Sequence, residues 1–210
     1  MPNFQVMLEQ DFLEKKRREI MALAEPGKQP PVAQRLARGD LPYPEILRAR
    51  LGENAPDALT AIGPVRLLVN RKTALFCSAR TPGDSILRAH DAAQHLRDEG
   101  VTVISGFHSP IEQDCLRILL RGKQPIIICP ARAIEAMRIP TECRAAFDAG
   151  RVLFLSPFIN LPTRVTKESA IRRNEIVAAL ADDAYIAHIA AGGQTARIAE
   201  MLAGWQVPIK

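Results

Sequence analysis

Residues 101–112 constrain the fold of this chain more than any other stretch. The segment Val-Thr-Val-Ile predicts a buried β-strand, Ser105-Gly106 predicts a tight turn, and a helix is predicted to begin directly after them. Ser109 can cap this helix, and Glu112 completes a capping box in which both side chains bond to free backbone N–H groups. A strand that leads through a glycine turn into a helix N-terminus forms a place where an anion can bind. The stretch therefore indicates an α/β protein with an anion-accepting loop at the carboxyl end of a strand.

The same strand-then-helix pattern repeats along the chain. Short apolar segments predict strands at residues 74–77, 101–104, 125–129, 152–155 and 184–189, with helical segments between and after them. The segment 125–129 is apolar on both faces, so we expect it to be a central strand. Because strands that alternate with helices form βαβ units, the chain is predicted to form a mainly parallel sheet flanked by helices.

The N-terminal part predicts a small helical extension. Residues 1–25 carry an apolar stripe and a charged stripe, and the prolines and glycine at 26–31 indicate a linker. Basic residues in the helix are diluted by Glu14 and Glu19, so a solvated face is a simpler interpretation than a nucleic-acid contact. We expect residues 1–60 to form this extension and linker, and residues 61–210 to form the α/β domain.

Composition limits the classes of partner and the location. The formal charge of +5 and the pI near 9.3 permit a polyanionic partner, although they also suit an ordinary, slightly basic protein. Aromatic residues make up only 5% of the chain, so a row of base-stacking platforms is not expected. The four cysteines form no CxxC pair, which is typical of reduced thiols in the cytoplasm. No apolar run reaches the length of a membrane span, so we expect no membrane partner and a cytoplasmic location.

Four loops are predicted to meet at the carboxyl edge of the sheet, where open α/β sheets bind ligands. They are residues 78–80, 105–109, 129–132 and 191–195, and their small residues let a ligand approach the backbone. The candidate phosphate-binding residues in these loops and in the helix that begins at Thr166 are Ser78, Arg80, Ser105, Gly106, His108, Arg132, Arg173, Asn174, Gly192, Gly193 and Thr195. Arginines suit phosphate because the guanidinium group donates charge-assisted hydrogen bonds.

Three of these candidates have a second interpretation. Asn174 shares a helix face with Val177, the face expected to meet the sheet, so it either orders a loop or contacts the ligand. Arg173 is either a phosphate contact or a solvated surface arginine. His108 is either part of the site or a loop residue without a role.

Several classes of site are excluded by motif or spacing. The chain has no GxGxxG and no GKS or GKT motif, which argues against a dinucleotide cofactor and a P-loop. The four histidines show no metal-ligand spacing, and no nucleophile–base pair can be recognised. We therefore expect no cofactor, no metal and no catalytic residues, and we predict a binding protein rather than an enzyme.

Several short segments match the motifs of one protein family in the same order. They are YPEIL at 43–47, SAR at 78–80, ISGF at 104–107 with Ile111-Glu112, Ile139-Pro140, Ser156-Pro157, RNEIVA at 173–178, and Gly192 with Thr195-Ala196. The corresponding family motifs are YPxLL, GSR, SGLA/GID, YP, SE, RNRIIA and SGSLxTA. On these segments, residues 41–208 resemble the DNA-processing protein A family.

The resemblance implies a Rossmann-like fold, binding of single-stranded DNA, and a role in DNA uptake, processing or recombination. It also implies a homodimer and, in natural transformation, transfer of the DNA to a RecA-type recombinase. The chain departs from the family at Leu116, Glu175 and His188, which stand where the family has histidine, arginine and glutamate. The carboxylate at Glu175 is expected to weaken a basic DNA pocket. We expect a divergent member without the C-terminal winged helix that many members carry.

Two other functions remain open. The same edge of the sheet would suit a sensor or hydrolase of a small nucleotide derivative, and residues 192–195 (Gly-Gly-Gln-Thr) faintly resemble the PGGxGT motif of phosphoribohydrolases. An interaction domain with a vestigial pocket is the third possibility.

Overall fold

The computed structural model describes residues 32–78 and 82–210. The helix predicted at residues 1–25 and the candidate Arg80 lie outside the described residues. The strands are β1 Gln34–Ala37, β2 Ala58–Ile62, β3 Lys72–Phe76, β4 Thr102–Ser105, β5 Ile126–Ile128, β6 Val152–Ser156 and β7 Asp183–Ile186. The helices are α1 Ile46–Leu51, α2 Gly83–Asp98, α3 Pro110–Leu120, α4 Arg144–Asp148, α5 Lys167–Leu180 and α6 Gln194–Gly204. Short 3-10 turns span Gly52–Asn54, Val65–Val69 and Thr141–Cys143.

The seven strands form one sheet in the order β1-β2-β6-β5-β4-β3-β7. The five strands from β6 to β7 are parallel to one another, and β2 and β1 add an antiparallel pair beyond β6. β5 is the central strand, as its run of three isoleucines predicted. The predicted α/β fold with a mainly parallel sheet is confirmed.

The boundary expected at residue 60 falls inside β2. β1 pairs with β2 in register from Gln34↔Ala61 to Ala37↔Ala58, and Leu47 of α1 is completely buried in the same core. Residues 34–60 therefore belong to the sheet and its packing. The strand β2 is rich in alanine, a residue that is depleted in strands, so the segment carries a weak sequence signal.

Two apolar layers enclose the sheet. One contains Ile104, Ile127 and Leu153 and is covered mainly by α5 and α6. The other contains Val103, Ile126 and Ile128 and is covered mainly by α2 and α3. Alternate residues of the same strands thus face opposite helical layers, as expected for a buried parallel sheet.

The helix starts were predicted well, and the end of β7 was not. Ser109 and Glu112 form the expected capping box on α3, and Thr166 with Ser169 forms another on α5. β7 ends at Ile186 instead of residue 189, because its neighbour β3 ends at Phe76, the residue paired with Ile186. His188, predicted to lie within a strand, therefore lies in the following loop. None of the described helices has both the length and the apolar character needed to cross a membrane.

Candidate functional site

The carboxyl ends of β3, β4, β5, β6 and β7 meet at one edge of the sheet, which we call the rim. The four predicted loops all begin there, and backbone hydrogen bonds join neighbours: Cys129 N donates to Ser105 O at 2.8 Å, and Ala187 N to Phe76 O at 3.0 Å. A fifth loop, residues 157–166 after β6, was not included in the prediction. Since β6 is parallel to its neighbour β5, its following loop also had to start at this edge.

Glu112 connects two of the rim loops from inside. Its Oε1 accepts a hydrogen bond from the backbone N–H of Cys77 at 3.1 Å, and its Oε2 accepts from His108 N at 2.8 Å and Ser109 N at 3.2 Å. The side chain is almost fully buried. The sequence predicted the capping box, because its residues are three positions apart. It did not predict the hydrogen bond to the loop after β3, because residue spacing reveals only local contacts.

Arg173 is a buried arginine at the same edge. It is 4% exposed, its Nη1 donates to Cys129 O at 2.9 Å, and its Nε donates to Asn174 Oδ1 at 2.7 Å. Burial lowers the pKa of this guanidinium, and the carboxylate of Glu112 opposes that shift. Arg173 is therefore a positioned cation and not a solvated surface arginine.

Gly106 lies directly against this guanidinium. A Cβ atom at residue 106 would stand 1.5 Å from Nη1 and 1.9 Å from Cζ of Arg173. Only a glycine leaves room for the arginine at this place. The turn motif after β4 and the arginine of α5 are thus two halves of one packing contact.

Asn174 is less buried than the helix face that it shares with Val177 predicts. Asn174 is half-buried, whereas Arg173 is the residue that points into the protein. An arginine can occupy the inner face because its guanidinium finds the Cys129 carbonyl there. Asn174 holds Arg173 from the side, which agrees with the ordering alternative, and its contact with a ligand stays a prediction.

Two other candidates face inward. Ser105 is completely buried, and its hydroxyl donates to Leu75 O at 2.7 Å while it accepts from Phe107 N at 3.3 Å. Thr195 is buried, and its hydroxyl accepts from Ala190 N at 3.4 Å. Both side chains shape a turn, so any part they have in binding is through the backbone that they hold.

The remaining described candidates are at or near the surface. His108 is exposed, Arg132 is half-buried with Nη1 donating to Ala133 O at 3.3 Å, and Gly192 is exposed with φ +68°. Gly193 N donates to Ala190 O at 3.0 Å, which closes the turn before α6. Ser78 lies in the loop just after β3, and it has an interaction partner within the protein.

The structure shows the environment of each of the three residues at which the chain departs from the family motifs. Glu175 forms ion pairs with Arg172 at 3.3 Å and with Arg197 at 2.9 Å, so its charge is offset by two arginines. Leu116 is buried in the apolar layer beneath α3. His188 is half-buried in the loop after β7.

The fifth loop adds exposed positive charge that sequence reasoning missed. Arg164 and Lys167 are both exposed at the start of α5. Counting the parallel strands, and not only the small-residue turns, would have found them. Within the described ranges, no three histidine, cysteine, aspartate or glutamate side chains gather as metal ligands.

A family model places this chain in one family. Residues 34–202 match the family model described as DNA recombination-mediator protein A. No protein with a curated description matches the chain.

Two solved structures share the fold. DNA processing protein A from Streptococcus pneumoniae matches with a TM-score of 0.69 and 19% identity, over 84% of this chain and 61% of that one. DNA processing protein A from Helicobacter pylori, whose structure is described in terms of its single-stranded DNA binding mode, matches with a TM-score of 0.65 and 19% identity, over 84% of this chain and 79% of that one. This chain thus spans less than two thirds of the S. pneumoniae protein. Because the family model covers most of its length, the chain belongs to the DNA recombination-mediator protein A family.

Proposed function

We propose that this protein binds single-stranded DNA along the rim, through the phosphate groups of the strand. One observation carries the proposal, the fixed guanidinium of Arg173. Two of its nitrogens, Nε and Nη1, are bonded to protein acceptors, and no described residue accepts a hydrogen bond from Nη2. We assign Nη2 to a phosphate oxygen of the strand.

The other rim residues support contacts with a strand. The Gly192-Gly193 turn allows a backbone approach, and Gly106 makes room for the Arg173 guanidinium. Arg132 and His108 supply donors near the surface. Ser105 and Thr195 hold their turns. Ser78 and Arg80, in the loop after β3, complete the proposed set. Charge-assisted hydrogen bonds to phosphate oxygens are stronger than neutral ones and carry no base preference, which suits a binder of many sequences.

The biological task proposed for this binding is DNA processing in recombination or uptake in the cytoplasm. A second copy of the chain and a RecA-type recombinase are proposed parts of the working complex. Sedimentation of the protein at micromolar concentration tests the dimer, and co-purification of a recombinase with the protein–DNA complex tests the transfer.

The salt dependence of oligonucleotide binding tests the proposal. Each phosphate contact on a single strand contributes a slope of about −0.7 to log K against log salt. We expect a labelled oligothymidylate to bind with a slope of about −2 or steeper, and free mononucleotides to cause no shift in Tm. Binding of a mononucleotide without binding of the oligonucleotide would instead support the sensor or hydrolase, and no response to either would leave only an interaction domain.

A further inference from the structure

The position where α/β proteins of this type bind a ligand phosphate is filled in this protein by one of its own side chains. The start of α3, with its glycine turn and free N–H groups, was expected to accept an anion. In the structure the anion there is the carboxylate of Glu112, which receives hydrogen bonds from the N–H groups of His108 and Ser109. These are the groups that a bound phosphate would need.

A second, independent contact shows that this carboxylate does more than cap its helix. Oε1 accepts from Cys77 N, which belongs to the loop after the neighbouring strand β3, 35 residues away in sequence. A capping box needs only the local bond to Ser109 N, which Oε2 already makes. Glu112 therefore gathers donors from two loops, as an anionic ligand between β3 and β4 would.

The third observation is the surrounding charge. Arg173, also nearly buried, lies close enough to interact electrostatically with Glu112, and its guanidinium packs against Gly106 of the same turn. A buried carboxylate costs free energy unless it is bonded and paired. Here three N–H groups and a nearby cation offset that cost without any ligand.

We propose that Glu112 is a built-in anion that closes the inner phosphate position, so that the rim accepts phosphates of a polymer at its outer side and excludes single nucleotides. This inference rests on the proposed function, because the outer contacts are those assigned to single-stranded DNA. Its chemistry is simple: one carboxylate occupies the donors, and a phosphate can enter only if the carboxylate is removed.

Removal of the carboxylate tests the inference. Glu112→Ala leaves the N–H groups of Cys77, His108 and Ser109 without an acceptor, so its Tm should be below that of the wild type. We expect sodium phosphate or sodium acetate at about 10–50 mM, concentrations that suit a weak anion site, to raise the Tm of Glu112→Ala by several degrees. The comparison is with sodium chloride of equal ionic strength. The wild type should show no such anion-specific rise. Adenosine monophosphate should bind Glu112→Ala more tightly than the wild type by about tenfold or more, the effect of one charge-assisted contact.

Ser109→Ala is the matched control, since it removes the other half of the capping box and leaves the carboxylate in place. Its Tm should fall without any recovery in phosphate or acetate. A folded Glu112→Ala that gains nothing from either anion would overturn the inference, as would recovery of Ser109→Ala to the same extent.

A measurement on the unmodified protein keeps the inference testable if Glu112→Ala does not fold. Wild-type protein that binds adenosine monophosphate, with that binding reduced in Arg173→Gln, would show that the rim does not exclude single nucleotides and would overturn the inference. The oligonucleotide assay reports separately on the proposed function, because wild-type protein can fail to bind oligonucleotides while Glu112→Ala still gains anion binding.

Discussion

Gly106 and Arg173 are the two residues whose identities depend most directly on each other. The guanidinium occupies the space where a side chain at position 106 would begin, and it is held there by the Cys129 carbonyl and the Asn174 amide oxygen. Because both of its bonds fix its direction, the arginine cannot move aside without losing them. Binding affinity and stability should therefore respond together at this pair.

Gly106→Ala should weaken oligonucleotide binding and lower the free energy of unfolding by about 1–3 kcal/mol, the usual cost of overpacking. The measurements are urea denaturation and fluorescence anisotropy with a labelled oligonucleotide. Gly204→Ala is the control, because a Cβ there would meet no atom within 4 Å. Equal stability and affinity in Gly106→Ala and wild type would mean that the arginine is not held as described.

Glu175→Gln should strengthen oligonucleotide binding at low salt by about threefold, an effect that should fade as salt screens the charge. The substitution frees Arg172 and Arg197 from their ion pairs and raises the net charge near the rim by one. Glu99→Gln makes the same change of charge at the end of α2 that lies away from the rim. It should leave the affinity for the oligonucleotide unaltered. A matching gain in both variants would point to overall charge and not to the rim.

The sequence pattern located the right pair of residues on α5 but did not settle which of them is buried. Periodicity places Asn174 on the face of Val177, whereas Arg173 could be either a phosphate contact or a solvated surface arginine. The long stem of Arg173 can bury along the helix and still bring its charged group to a carbonyl, a solution that hydrophobic periodicity does not register. The role of the Cys129 carbonyl as the acceptor could not be predicted either, because a backbone carbonyl has no sequence signal.

At the scale of elements, α5 determines where the arginine stands. Its first turn is fixed by Thr166, whose hydroxyl accepts from Ser169 N at 3.1 Å, and Ser169 bonds back to Thr166 N at 2.9 Å. The start of the helix was predicted correctly because capping chemistry is local. β1 and β2 were missed because their pairing, not their composition, makes them strands.

Thr166→Ala should lower the free energy of unfolding by about 1 kcal/mol, the usual value of an N-cap. It should also reduce oligonucleotide affinity, because the helix that carries Arg173 would fray at the rim. Thr163→Ala, at an exposed position in the preceding loop, is the comparison. If chemical denaturation gives both variants the same stability, the cap does not hold the helix.

At the scale of the whole molecule, the buried thiols make stability fall at alkaline pH. Burial raises the pKa of Cys129 to about 12 and of Cys143 to about 11, from an ordinary value of 9.0. Above pH 9 the unfolded chain releases these protons and the folded chain keeps them, so each thiol stabilises the fold less as pH rises. Burial lowers the pKa of Lys72 from its ordinary value of 10.5. Below that value this shift makes the folded state more stable as pH rises, which opposes the effect of the thiols.

Cys129→Ala isolates one of these groups. The variant should be less stable than the wild type at pH 8. As pH rises from 9 to 10.5 the gap in the free energy of unfolding should narrow, at a rate that approaches about 1.4 kcal/mol per pH unit. Urea denaturation at several pH values gives both free energies. A gap that stays constant over this range would show that Cys129 titrates normally in the folded protein.

Arg173→Gln paired with Arg151→Gln tests most directly whether the rim binds DNA. Arg151, at the opposite edge of the sheet, donates to Leu120 O at 2.6 Å and to Gln124 O at 3.3 Å, so both substitutions remove a guanidinium that bonds to backbone carbonyls. Binding of a labelled oligonucleotide is measured for both from low to moderate salt. Arg173→Gln should bind at least about tenfold more weakly, with a salt slope shallower by about 0.7, while Arg151→Gln should match the wild type. Equal affinity and slope for the two variants would contradict the assignment of the rim as the DNA-binding surface.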